Sequence, residues 1–269
     1  MSEFVQRTLS GAVYVAVVVL SVVYPAPAFP ILVAMLSLLA VRELHHLLSD
    51  DRWLTCWSAA MAALLPIVVH SLTAQYAAAP YLVALYGALL LTVVIAELFR
   101  KAENPIQNWA HLCGAQLMVA MPFALMTAIL NRNQWLMLAV FVLIWVNDSM
   151  AYCTGSLMHH LTHGRNHKMF PRVSPGKSLE GLIGGIVFAL IGGYVFSLFE
   201  PEFVWWQWLF IALFIAGFGT LGDLIESLFK RTIGVKDSGR FMPGHGGVLD
   251  RFDSLLLATP ALWLLLLLL

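Results

Sequence analysis

A chain of 269 residues with 60% hydrophobic and only 11% charged residues, at a mean hydropathy of +0.83, lies outside the composition of soluble globular domains. Fifteen Lys and Arg are matched by fifteen Asp and Glu, and no nucleic-acid partner is expected. Cys56, Cys113 and Cys153 are isolated and form no CxxC pair, which argues against a disulfide framework or a cysteine metal site and predicts buried free thiols.

Crossing a hydrocarbon core of ~30 Å takes about 20 apolar residues. The chain offers nine candidate spans, at 9–24, 29–47, 54–72, 80–99, 112–130, 135–157, 179–198, 204–222 and 252–269. In lipid the backbone must satisfy its own hydrogen bonds, so the spans are helices and the fold class is all-α, a polytopic integral membrane protein. Pro25, Pro27 and Pro30 separate the first two spans. The stretch 9–24 followed by Ala26-Pro27-Ala28 imitates a secretory signal, but its basic region is thin, with Glu3 opposing Arg7, and it is kept as a span. No low-complexity linker or long-period repeat interrupts the chain. It reads as one membrane domain over 1–269, with N-terminal helices in 1–130 and catalytic helices and polar loops in 131–269.

Glu43 after the second span and Glu97 at the end of the fourth either line a cytoplasmic cavity or cap the interface. Asp148 lies inside the sixth span, where an ionisable residue is costly and by default signals function. The loop that follows holds His159, His160, His163 and His167. Their i,i+4 pairs would share a helical face as zinc ligands do, yet no carboxylate or Cys completes a set nearby, and they are read as an edge facing lipid headgroups. Ser174-Pro-Gly-Lys-Ser178 is not a P-loop, because Pro171 stands where its first glycine belongs and no strand precedes it. Ser174 and Lys177 are retained as substrate contacts, Lys177 to phosphate. In the seventh span Gly181, Gly185, Ala189 and Gly193 recur every four residues, a small-residue stripe for close helix packing.

With nine spans, the N-terminus and the segments 48–53, 100–111, 158–178 and 223–251 fall on one face, which carries fourteen of the fifteen basic residues. The opposite face has Arg132 with Glu200 and Glu202. The positive-inside rule places the polar segments in the cytoplasm.

The richest stretch is 223–253, where three kinds of group interleave. Asp223, Asp237, Asp250 and Asp253 are hard oxygen donors of the type Mg²⁺ prefers. Lys230, Arg231, Lys236, Arg240 and Arg251 suit oxyanions, while Gly239, Gly244, Gly246 and Gly247 let the backbone approach a ligand and present N–H groups to it. A loop that only enforced topology would need the cations but neither four carboxylates nor Pro-Gly-His-Gly-Gly. His245, between glycines, has few packing partners and is read as ligand-facing. Together these residues suggest metal-assisted chemistry on a polyphosphate.

The run Ser227-Leu-Phe-Lys-Arg, then after four residues Lys-Asp-Ser-Gly-Arg-Phe-Met-Pro-Gly-His-Gly-Gly-Val-Leu-Asp-Arg-Phe-Asp253, resembles the signature of the phosphatidate cytidylyltransferases, or CDP-diacylglycerol synthases. Met242 departs from the family's usual Leu, Ile or Phe, a small apolar exchange. Upstream, Leu221-Gly-Asp-Leu-Ile-Glu226 is similar to the family's lead-in helix. Trp145-Val-Asn-Asp-Ser-Met-Ala-Tyr152, followed by His167-Lys-Met-Phe-Pro-Arg-Val-Ser-Pro-Gly-Lys-Ser-Leu-Glu-Gly181, is similar to its other polar motif, with Met150 in place of a small residue. The likeness covers most of the C-terminal half and thins toward the N-terminus, where it rests on Gln6-Arg7 and Arg42-Glu43-Leu44.

The resemblance implies transfer of CMP from CTP to phosphatidate, giving CDP-diacylglycerol and pyrophosphate in phospholipid biosynthesis. It also implies a homodimer in the bacterial cytoplasmic membrane, its active site facing the cytoplasm. The residues suggest the mechanism: Mg²⁺, one ion or two, on Asp223 and Asp250, with Asp253 and Asp148 as further candidates. Lys230, Arg231, Lys236, Lys177 and His245 are assigned to phosphates. Asp237, Gly246, Gly247, Arg251 and Asp148 are expected around the substrate. Two other readings stay open: a CTP-dependent enzyme acting on a polyprenol or another lipid phosphate, and a metal or ion transporter using Asp148 and the histidines.

The charge bias predicts that a cysteine introduced near Gly239 is labelled by an impermeant thiol reagent only from the cytoplasm, and one near Glu200 only from outside. Labelling of both from one side overturns the nine-span arrangement.

Overall fold

The computed structural model of the chain describes residues 3–24, 27–163, 165–239 and 246–269. The helices are α1 (Glu3–Val23), α2 (Ala28–Leu48), α3 (Arg52–Thr73), α4 (Ala79–Phe99), α5 (Pro105–Ala115), α6 (Met121–Arg132), α7 (Gln134–Leu161), α8 (Leu179–Phe199), α9 (Trp205–Thr232) and α10 (Leu249–Leu266). A π-helical turn, Gln116–Ala120, joins α5 to α6 directly ahead of Pro122, which has no N–H to give to the regular ladder. Seven described helices are long and apolar enough to cross a membrane: α2, α3, α4, the continuous Pro105–Arg132, α7, α8 and α9. That is two fewer than the nine expected. The apolar part of α1 is the shorter Thr8–Val23, and α10, 18 residues long, has Asp250, Arg251 and Asp253 in its opening turns.

The chain forms two compact units, Met1–Gln134 with Asp237–Phe252, and Trp135–Lys236 with Asp253–Leu269. In the first, α3 packs against α2, α4 and α6, and Leu54 and Met61 of α3 cluster with Val93 of α4 and Leu112 of α5, with Trp57 and Tyr86 against them. The buried Gln116 is answered there: it donates to Ser58 O at 2.9 Å and accepts from Tyr86 at 3.1 Å.

At one end of this unit Asp51 caps α3 by accepting from Leu54 N at 3.1 Å. Arg100, at the end of α4, reaches Asp51 at 2.7 Å and Glu97 at 2.6 Å while lying 4.1 Å from the centre of the Trp53 ring. Burial alone would raise the Asp51 carboxyl. The hydrogen bond and charge of Arg100 and the Leu54 N–H outweigh it and hold the group below the usual carboxylate range. Glu97 is thus part of an ion-pair lock at the α4 end. At the other end Asn131 of α6 donates to His70 O and Thr73 Oγ1 of α3, at 2.9 and 2.7 Å. Segments expected to share a face therefore meet within this unit.

In the second unit α8 packs along α9 and α7 through the small residues read from the sequence: Gly181, Gly185, Ala189 and Gly193 are its buried positions. A Cβ on Gly185 would stand 2.7 Å from Asn147 Oδ1, and one on Gly193 2.7 Å from the Ala212 Cβ. Trp208 on α9 is fully buried, stacks on Phe196 at 5.5 Å and donates its indole N–H to Glu200 O at 3.2 Å.

Three sequence readings are corrected here. Cys56, Cys113 and Cys153 are free but exposed, because a lipid-facing helix surface accepts a thiol as readily as the core does. A strand does precede Ser174: β1 (Lys168–Phe170) pairs antiparallel with β2 (Ser174–Ser178) in a small hairpin, although no P-loop results, since β1 turns into a second strand rather than a helix. The histidines do not line one helical face, because α7 stops at Leu161 and His163 takes a positive φ of 49°.

Gly185→Leu should lower the unfolding free energy of the detergent-solubilised protein by about 1–3 kcal/mol, the cost of overpacking a closed contact. An unchanged melting temperature shows that α7 and α8 do not approach as described.

Candidate functional site

The C-terminal turns of α9 carry Asp223, Glu226, Ser227 and Lys230 at spacings of three and four, so one helical face gathers them. Ser227 donates to Asp223 Oδ1 at 3.2 Å, and Lys230 pairs with Glu226 at 2.6 Å with side-chain exposures of 12% and 6%. From β2, Lys177 reaches Asp223 Oδ2 at 2.6 Å. Gly222 lets α10 come close, since a Cβ there would lie 2.6 Å from the Asp253 carbonyl oxygen. Asp253 feels the charges of Asp223, Glu226 and Asp148, and Asp148 those of Asp223 and Lys177. Asn147, buried beside Asp148, donates to its Oδ1 at 3.2 Å and faces the Thr220 hydroxyl at 3.4 Å.

Four carboxylates around two ammonium groups leave a negative excess that a cation relieves. Oxygen-only donors suit Mg²⁺ and not zinc, which favours His and Cys. Among the described residues no group of three or more His, Cys, Asp or Glu already encloses an ion position. The donor chemistry fits Mg²⁺.

The glycine-rich segment belongs to the first unit and is organised by two carboxylates. Asp250 Oδ2 accepts from Ser238 N at 2.9 Å, Ser238 Oγ at 3.0 Å and Gly247 N at 2.8 Å. Glu43 of α2 accepts from Val248 N and Leu249 N, each at 3.0 Å, and its Oε2 lies 3.3 Å from Ser238 Oγ. Gly246 takes φ +85°, and a Cβ on it would stand 2.6 Å from Asp250 Oδ2. The N–H groups expected to face a ligand are thus engaged, at Gly247, Val248 and Leu249, by the protein's own carboxylates.

Of the sequence-predicted site residues, Asp148, Lys177, Asp223, Lys230 and Asp253 come together in the second unit, while Asp237, Gly246, Gly247, Asp250 and Arg251 lie in the first. Ser174 is half-buried in β2, and Arg231, Lys236, Asp237 and Arg251 are exposed, Arg231 donating to Val235 O at 3.2 Å. His245, Arg240, Gly244 and Met242 lie outside the described residues. A carboxylate does stand beside the histidine cluster: Glu180 Oε1 is 2.9 Å from His167 Nδ1. Sequence reasoning missed Glu226 as a site residue, though its i,i+4 spacing to Lys230 was visible. It missed Ser238 altogether, because nothing local announces a partner 195 residues away.

Residues 5–269 match the cytidylyltransferase family. The chain belongs to that family. It is 34% identical to a phosphatidate cytidylyltransferase of Bacillus subtilis over 99% of this chain and 98% of the relative. It is 45% identical to proteins of that name from Staphylococcus saprophyticus and Staphylococcus haemolyticus over 130 residues, so the matched stretch spans about half the length of these relatives, 48% of each. In this cytidylyltransferase-family chain the acidic face of α9 and the hairpin lysine form one connected cluster.

Lys230→Met takes the ammonium from a buried carboxylate and should destabilise the protein by about 3 kcal/mol, whereas Lys230→Met with Glu226→Leu should recover most of the loss. Equal melting temperatures for the single and double variants would place the pair outside the folded core.

Proposed function

We propose that this chain is a phosphatidate cytidylyltransferase, making CDP-diacylglycerol and pyrophosphate from CTP and phosphatidate in a bacterial cytoplasmic membrane. The observation that carries this reading is the meeting of Asp148, Asp223, Glu226 and Asp253 with Lys177 and Lys230, in a chain aligned end to end with a relative of that name.

A phosphate oxygen of phosphatidate attacks the α-phosphorus of CTP in line, the α–β phosphoanhydride bond breaks, and its electron pair leaves with pyrophosphate. The attacking oxygen is already anionic, so no protein nucleophile is required. The work is positioning and charge stabilisation. Lys177 offers its ammonium to phosphate oxygens, while Lys230, held by Glu226, contributes to the positive field around them without leaving that pair. The Lys177–Asp223 pair is the more open of the two ion pairs, with side-chain exposures of 28% and 30%, and is the one a phosphate can displace. Asp223 and Asp253 in the second unit, and Asp250 in the first, are the proposed Mg²⁺ ligands, each unit taken by itself, for one ion or two, and Mg²⁺ held there would neutralise charge on the nucleotide phosphates. His245, Lys236 and Arg231 are proposed further phosphate contacts. The acyl chains stay in hydrocarbon, because withdrawing them exposes apolar surface to water, so the lipid enters sideways from the cytoplasmic leaflet. A homodimer is proposed on the family resemblance alone.

The test is pyrophosphate release by purified protein given CTP, phosphatidate and Mg²⁺. Activity should vanish with EDTA and return with Mg²⁺, and Asp223→Asn and Asp250→Asn should each lower turnover by ~10²-fold or more. Wild-type protein that turns over a polyprenyl phosphate but not phosphatidate overturns the substrate assignment. Near-normal turnover in both variants moves the metal to other ligands.

A further inference from the structure

We infer that Glu43, at the cytoplasmic end of α2, is the positioning residue for the described parts of the glycine-rich segment, 238–239 and 247–250, holding them in their working shape from outside the segment itself. The inference rests on the proposed cytidylyltransferase activity, in which that segment supplies Asp250 and its neighbours. The first N–H groups of any helix lack partners within the helix and are usually capped by a side chain just upstream. In α10 the acceptor comes instead from α2: both Glu43 oxygens are used, Oε1 by Val248 N and Oε2 by Leu249 N, across 205 and 206 residues of sequence. A negative charge at this position also meets the positive end of the helix dipole.

The same carboxylate reaches beyond the cap. Its Oε2 is 3.3 Å from Ser238 Oγ, and Ser238 in turn donates its N–H and hydroxyl toward Asp250. Glu43 therefore touches the chain at Ser238 and again at Val248 and Leu249, and it constrains Gly239 and Gly247. A Cβ on Gly239 would lie 2.6 Å from Glu43 Oε1, and one on Gly247 2.5 Å from Oε2. Gly239 has no neighbour other than Glu43 among its three nearest atoms, so its missing side chain is explained by this carboxylate. A simple helix cap accounts for two of these contacts but not for the glycine at 239.

The experiment compares Glu43→Gln and Glu43→Asp with wild type in steady-state kinetics, amide hydrogen exchange and thermal unfolding. A neutral Gln can accept one N–H but must turn its own amide toward the other. Glu43→Gln should speed exchange at Val248 and Leu249 at least tenfold and lower kcat at least tenfold, with KM for phosphatidate unchanged. Glu43→Asp, which keeps the charge on a shorter stem, should fall between the two and serves if the Gln variant does not fold. Asp51→Asn, which breaks the Arg100 lock elsewhere in the first unit, should melt earlier without faster exchange at 248 and 249. Faster exchange with wild-type kcat would reduce Glu43 to a cap and overturn the inference. Wild-type exchange with lost activity overturns it as well. If wild-type protein lacks CTP turnover, the proposed function fails while the exchange comparison still decides whether Glu43 holds the segment.

Discussion

A carboxylate placed among apolar helices has to be answered by a cation or by N–H donors within hydrogen-bonding reach, since an unanswered charge in a medium of low dielectric constant is far too costly to keep. This chain answers its acids in two ways. In the first unit Arg100 serves Asp51 and Glu97 together, while Glu43 and Asp250 are met by backbone N–H groups and the Ser238 hydroxyl. In the second, Lys177 and Lys230 each meet a carboxylate of α9. Asp148 and Asp253 stand apart: among the described residues their hydrogen bonds come from the neutral Asn147 amide and the Ser254 N–H. Carboxylates with only neutral donors, close to further negative charge, are where a bound cation contributes most.

Glycine serves two separate physical ends. On α8 and at Gly222 it removes side chains so that helix backbones can close on one another, which in lipid replaces the hydrophobic drive that packs helices in water. At 239, 246 and 247 it removes side chains so that carboxylates can reach backbone. The second use resembles ligand binding in a sequence, because a loop that wraps its own Glu43 and Asp250 needs the same exposed N–H groups as one that wraps a phosphate.

The helices were legible because a helix in lipid has to be a long apolar run, and each expected span coincides with a described helix or helical stretch, although among the described residues seven of the nine are long and apolar enough to cross a membrane. The α8 stripe was legible for a related reason: a four-residue repeat of small side chains is one face of a helix. Polar connections gave no such signal. The hairpin of Lys168–Phe170 and Ser174–Ser178 is too short to show alternation, and its presence moves His167 next to Glu180 rather than onto a helical face with His163. Glu43 read equally as a cavity-lining acid or an interfacial cap because its partners lie 195 to 206 residues away. The three thiols were misplaced because burial was inferred from apolar surroundings, which in a membrane protein describe the outside as well as the core.

The two lysine pairs of the second unit differ in what they allow. Lys230 and Glu226, 12% and 6% exposed, are shielded from solvent, and separating them strands charge in an apolar surround, so they act as a fixed strut at the end of α9. Lys177 and Asp223 are 28% and 30% exposed, close to the regime in which an ion pair is worth little and can exchange partners. Under the proposed function the exchange has a direction. An anionic phosphate arriving at Lys177 would take the place of Asp223, and a cation arriving at Asp223 would take the place of Lys177, so nucleotide and metal charge would favour binding together over binding singly. The resting ion pair then holds the two side chains against each other until that charge arrives, which is preorganisation obtained from an interaction weak enough to be displaced.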